Sequence, residues 1–150
     1  MVIPRRVVTI DDEQGRGVVV SDGAPTMFGG ADTNEGVEIG VMWAITDVPP
    51  DLVQEVDREH PAWNLGPVPV GGARWSMLTF HPGARARGMH RTQTIDFVQV
   101  ISGEIYLVLS GGDELRLGPG DAVVQRGATH AWENRTHEPC VMSAIMVTTQ

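Results

Sequence analysis

The chain has a single cysteine, Cys140, in 150 residues, so no internal disulfide can brace it. Cys140 opens the apolar run Cys140-Val141-Met142 and reads as a small core residue rather than a nucleophile. Basic residues are scarce, 11 against 19 acidic, for a net charge of −8. That balance lacks the basic stripe a nucleic-acid partner demands. Long apolar runs are also missing. No window reaches the ~18 apolar residues of a membrane span, so the expectation is a soluble, cytoplasmic protein with no membrane partner. Gly-x-Ser-x-Gly, the P-loop and the dinucleotide fingerprint are all absent, which leaves Ser/His/Asp hydrolysis without a motif. No stretch carries the periodicity of a long amphipathic helix. No repeat and no shift of composition divides the chain.

What is present is punctuation. Eighteen glycines and 10 prolines separate short runs rich in valine and isoleucine, which predicts an all-β fold. The length suits one domain, residues 1–150, with enough chain to bury a core. Residues 1–72 read as strands and arms, and residues 73–150 as the barrel proper. In the first part, Arg6–Ile10 and Val18–Ser21 form a hairpin across Asp11–Gly17. Val37–Ile45 alternates with Val37, Ile39, Val41, Trp43 and Ile45 on one face. Asp51–Glu59 reads as a turn or two of helix, with Val53 and Val56 on one side. Ser21–Gly36 and Pro61–Gly72 read as loops lying over the barrel.

The second part reads as a dense series of strands: Arg74–Phe80, Asp96–Ile101, Glu104–Leu109, Glu114–Leu117, Ala122–Gln125, His130–Asn134 and Val141–Val147. Both faces of Glu104–Leu109 are apolar, so its outer face needs a cover, from the amino-terminal strands or a second subunit. Arg85, Arg87 and Arg91 form the densest basic cluster. It reads as a solvated loop or as a pocket mouth that attracts an anionic substrate.

His90 and Asp96 lie six residues apart. Fully extended, that separation is roughly 20 Å, too far to share one metal. They converge only if His90 ends one strand and Asp96 begins the next, with His130 delivered from a third strand after the turn Gly127-Ala128-Thr129. Neutral imidazoles bind first-row metals and titrate near neutral pH. With His90 and His130, Asp96 completes a set of two histidines and one carboxylate that leaves open positions. Thr92 offers a hydroxyl for a water or a substrate oxygen. Trp132, two residues beyond His130, walls the pocket or packs in the core. His81, His60 and His137 read as surface residues.

Residues 82–134 resemble the two motifs of the cupin superfamily. The first reads His90-Arg91-Thr92, three residues, Asp96, six residues, Gly103; the second reads Gly120-Asp121, Gly127, His130 and Asn134. The resemblance is to small single-domain cupins. It implies a double-sheet β-barrel, or jelly roll, with additional amino-terminal strands and loops. It also implies a homodimer, a small-molecule substrate, and Asn134 in service of the backbone. The family's usual set is three histidines and one glutamate; here Thr92 and Asp96 stand at two of those positions. The implied function is a metal-dependent enzyme using Fe, Mn, Ni, Zn or Cu through His90, Asp96 and His130, which are also its catalytic residues. Decarboxylation, dehydration or isomerisation of a carbonyl or carboxylate compound fits, as does Fe(II) dioxygenation. The alternative is a metal-free cupin that binds a small ligand without chemistry.

Overall fold

A computed structural model describes residues 3–33, 35–52 and 60–149 of the chain. Among them are twelve strands and one short 3-10 helix. The strands are β1 (Arg6–Asp11), β2 (Gly17–Gly23), β3 (Thr26–Gly29), β4 (Val37–Ile45), β5 (Ala73–Phe80), β6 (Arg85–His90), β7 (Thr94–Ser102), β8 (Ile105–Leu109), β9 (Glu114–Leu117), β10 (Ala122–Arg126), β11 (His130–Glu133) and β12 (Cys140–Thr148). The helix, Pro61–Asn64, falls between β4 and β5. None of the helical structure is long and apolar enough to cross a membrane.

Three antiparallel sheets form, one of six strands ordered β10-β7-β12-β5-β4-β3, one of four ordered β6-β11-β8-β9, and the hairpin β1-β2. The two larger sheets face one another as a jelly roll. Alternation explains why: on β7, Thr94, Asp96, Val98 and Val100 are buried while Phe97, Gln99 and Ile101 are exposed. Val98, Val100, Phe80 and Met142 from one sheet meet Ile105, Leu107 and Trp132 from the other in one core. Cys140 belongs to this core, and burial pushes its thiol up to about 11, as a structural rather than reactive cysteine requires. A smaller cluster packs the 3-10 helix on β4 through Val41, Ala44, Ala62 and Trp63.

Several sequence-based expectations change. Ser21–Gly36 contains a strand, β3, pinned to β4 by pairing from Thr26↔Val41 to Gly29↔Glu38. Its polar, glycine-rich sequence carries no alternation to announce it. Of the arginine cluster, Arg85 and Arg87 lie on β6, Arg85 paired with Glu133 of β11, while Arg91 lies in the turn before β7. On β4 the single apolar face is broken by a register shift between Val41 and Trp43, so Trp43 pairs with outward-facing Trp75. On the outer face of β8, Arg135 lies over Tyr106, its guanidinium 4.6 Å from the ring centre. Glu114 and Glu133 hold that guanidinium in place. Most of the Asp51–Glu59 segment, including Val53 and Val56, lies outside the described residues.

Two devices close the end of the barrel away from the histidines. Gly103 has φ +73°, and a Cβ there would meet the Pro139 carbonyl oxygen at 2.3 Å, so this turn accepts only glycine. Asn134 is fully buried and ties three chain segments together. Its amide nitrogen donates to the carbonyls of Phe80 and Glu138, and its oxygen accepts from the Thr136 amide and hydroxyl. Asn134→Ala should therefore strand buried carbonyls and cost about 3 kcal/mol. Urea unfolding of the variant against wild type measures it.

Candidate functional site

The site is built from the open end of the two-sheet core. β6 ends at His90, the chain reverses, and β7 begins at Thr94, with Asp96 two residues inside it. The required reversal between His90 and Asp96 is therefore present. Pairing of β11 with β6 sets His130 directly opposite His90, and their ring centres lie 4.5 Å apart. All three side chains line one cavity of about 130 Å³, together with Thr92 and Trp132. Trp132 is packed in the core and also lines the cavity, its ring set in a T-shaped contact with His130 at 6.0 Å.

Both histidines are oriented in the same way. His90 Nδ1 lies 3.0 Å from the Gly88 carbonyl and His130 Nδ1 lies 2.8 Å from the Ala128 carbonyl. A carbonyl only accepts, so each Nδ1 carries a proton. In the neutral rings Nε2 is then left as a bare lone pair, the arrangement of a metal ligand or a base. Burial pulls the His130 pKa below its ordinary value, and the nearby His90 adds to that despite the Ala128 hydrogen bond and the Asp96 charge. Asp96 is buried and its pKa is raised, chiefly by burial, against the Thr94 hydrogen bond and the two imidazoles. The Thr94 hydroxyl lies 2.6 Å from Asp96 Oδ1 and 2.8 Å from the Thr92 hydroxyl, so Thr92 belongs to the same polar chain. Two imidazoles beside a carboxylate are the right donor chemistry for a first-row divalent ion. Among the described residues, however, no three His, Cys, Asp or Glu side chains are gathered closely enough to hold one.

Other residues join the site. Arg74 and Ser76 on β5 and Glu35 line the cavity without having been singled out in the sequence, and Arg87, of the basic cluster, lines it too. Arg74 could have been found: it falls in phase with inward-facing Ser76, Leu78 and Phe80, where a charge is out of place. Gln125, the cross-strand partner of Asp96, is buried with its amide nitrogen unpaired. Arg91 lies apart, lining a shallow cleft beside Arg126. Among the remaining histidines, His81 is not a free surface residue: its Nε2 lies 3.0 Å from Oε1 of buried Glu38. His60 caps the 3-10 helix by accepting from the Ala62 amide. His137 is exposed.

A two-sheet barrel with a histidine-lined cavity at its open end defines the class of protein. Residues 76–148 match the family model of the cupin domain. The chain is 34% identical over 142 residues to Phomopsin biosynthesis cluster protein C′ of Diaporthe leptostromiformis, covering 89% of this chain and 72% of that protein. It is 31% identical over 140 residues to the cupin-domain-containing oxidoreductase srdB of Neurospora crassa, covering 90% of this chain and 68% of that one. The fold is shared with a cupin-2 domain protein of Rhodospirillum rubrum, at a TM-score of 0.55, 12% identity, 83% coverage of this chain and 70% of the other. The chain belongs to the cupin family.

The depressed His130 pKa has a consequence for stability. The folded value lies below the unfolded one of 6.5, so on acidification the unfolded chain takes up the proton first. The contribution of the neutral ring is complete above 6.5 and declines as pH falls through that value toward the folded pKa. Chelator-treated wild-type protein should lose a few degrees of Tm more than His130→Gln between about pH 7.5 and about pH 5.5. Paired thermal melts at the two pH values check this.

Proposed function

We propose that the chain is a metal-dependent enzyme that acts on a small carbonyl or carboxylate compound in the barrel cavity. The observation that carries this reading is the matched pair of imidazoles, each with Nδ1 tied to its own backbone and Nε2 bare, 4.5 Å apart at ring centres. His90 and His130 would hold a divalent transition metal (Fe, Mn, Ni, Zn or Cu), with Asp96 as the carboxylate. The ion supplies Lewis-acid polarisation of a substrate oxygen when bound. Around it, burial lowers the His130 pKa and so favours its neutral ring, and the Thr94 hydroxyl positions the Asp96 carboxylate. Thr92 offers its hydroxyl to a substrate oxygen, and Trp132 walls the cavity and excludes water. Decarboxylation, dehydration and isomerisation suit such a site. Fe(II) dioxygenation is the reaction favoured by the oxidoreductase name of the Neurospora crassa relative.

The alternative is a metal-free barrel that binds a small ligand without chemistry. It draws on Asp96 being engaged by Thr94 and on Thr92 standing where the family places a histidine. Elemental analysis of protein purified without chelator separates the two. The expected result is about one transition metal per chain in wild type and under about a tenth of that in His90→Ala and His130→Ala, since each removes one of few ligands. Substoichiometric metal in wild type that added Fe, Mn, Ni, Zn or Cu fails to raise would sink the enzyme reading.

The chain is further proposed to form a homodimer through the outer face of its six-stranded sheet. Trp43, Trp75, Ile145, Phe97 and Val124 occupy successive strands in direct register there. Phe97 and Val124 are 51% and 60% exposed, in a row that offers no charge to water. Phe97→Glu should turn a dimer into a monomer in sedimentation velocity while leaving the melting curve cooperative. A wild-type protein that sediments as a monomer refutes it.

A further inference from the structure

Two arginines stand at the neck of the cavity without a carboxylate partner among the described residues. Arg74 is only 9% exposed, and its side chain is satisfied in part. Its Nη1 donates to the carbonyls of Gly66 at 2.8 Å and Ala62 at 3.3 Å, its Nη2 faces the Met146 sulfur at 3.9 Å, and its Nε has no partner. Arg87 reaches the same neck from the opposite sheet. The pairings His130↔His90 and Trp132↔Ala86 leave Arg87, Gly88 and Met89 opposite Ala131 alone, so β6 bulges there. Arg87 takes φ +51°, a left-handed conformation that a side-chain-bearing residue rarely adopts. Bulges re-aim side chains, and strained backbone gathers at ligand clamps.

Both arginines line the inner cavity of about 130 Å³ and also the adjoining outer cavity of about 420 Å³. They thus flank the passage between the two. Glu35 lines the inner cavity too, yet neither arginine is ion-paired among the described residues. Burial lowers the Arg74 pKa, and the Arg87 charge lowers it further, so the neighbouring charge that Arg74 feels is a like one. In a chain of net charge −8 this cationic neck is a local exception.

Register fixes the distance from the neck to the histidine end. Asp96 pairs with Met146, and Met146 pairs with Arg74, so the two lie in one row, two strands apart. Strand spacing makes that ~10 Å between Cα atoms. Between them in that row stands Met146, and beyond the row the cavity wall is apolar, formed by Val98, Leu78, Phe80 and Met142. An inner cavity of about 130 Å³ suits one ring or a short chain.

We infer that Arg74 and Arg87 clamp the carboxylate of a small substrate whose compact apolar body extends toward His90 and His130. The two guanidiniums offer forked donors that match a carboxylate's two oxygens. Arg74 is held by backbone carbonyls before the ligand arrives, which lowers the ordering cost of binding. This inference rests on the cavity being the substrate site, but not on the presence of a metal.

The test is calorimetric binding of benzoate and propionate to the full chain, with benzamide and propionamide as neutral isosteres, with and without chelator. At least one carboxylate should bind, and its amide should bind about tenfold more weakly or worse, the loss of a charge-assisted hydrogen bond. Arg87→Ala should weaken the carboxylate by about tenfold without affecting the amide, and Arg87→Lys should recover part of it. The Arg74 Nε–H resonance of isotopically labelled wild-type protein should move on adding the carboxylate, a readout that needs no variant at Arg74. Binding that survives chelator and depends on Arg87 supports the clamp even in a protein that holds no metal. Equal binding of acid and amide, no binding of either acid, or carboxylate binding abolished by chelator and indifferent to Arg87→Ala, overturns it.

Discussion

The pairing of β11 with β6 is the constraint on which the site depends. It sets His130 opposite His90 in neighbouring strands, so the two rings meet whatever the rest of the cavity contains. Antiparallel register makes that placement strict, because a one-residue slip would turn one imidazole to the outside. The pairing is supported on its other side by β8, whose Leu109 lies across from His130 and whose Ile105 and Leu107 are buried in the core. The Asn134 knot then anchors the far end of β11 to Phe80 and Glu138. Register, core burial and a polar tie thus act on the same short strand.

The electrostatics of the cavity are divided in space. On one side burial lowers the His130 pKa and raises that of Asp96. On the other, Arg74 keeps a positive charge in a buried place with only carbonyls and a sulfur around it. Water screens neither end fully, so each influences a bound molecule over a longer range than a surface charge does. The carbonyls of Ala62 and Gly66 explain why the segment after the 3-10 helix lies over the barrel: they satisfy part of a guanidinium that β5 points inward.

Much of this was readable from the sequence, and the rest was hidden for identifiable reasons. Strands bounded by turn residues, such as β4, β8 and β9, are legible to within a residue of their bounds. The histidines and Asp96 could be brought together because glycine turns and motif spacing fix where strands stop. β3 escapes because it is only four residues long and sits in a polar, glycine-rich stretch, and β6 because it is polar and pairs with a strand far along the chain. The flip of Trp43 escaped because a bulge changes facing without changing composition. Arg135 over Tyr106 escaped because a long side chain can cover an apolar face without any apolar residue nearby in sequence. Arg74 was visible as a misplaced charge but was subsumed in an apolar strand.

The bulge in β6 has a wider meaning for how such a barrel diversifies. His90 lies on one side of it in strict register with His130, and Arg87 lies at its start, outside the ladder. The extra residues uncouple the two. The backbone around Arg87 can lengthen, shorten or change its side chain without moving His90 along its neighbour. One strand thus joins a histidine fixed in register to an arginine position outside that register, so that a change at the second need not displace the first.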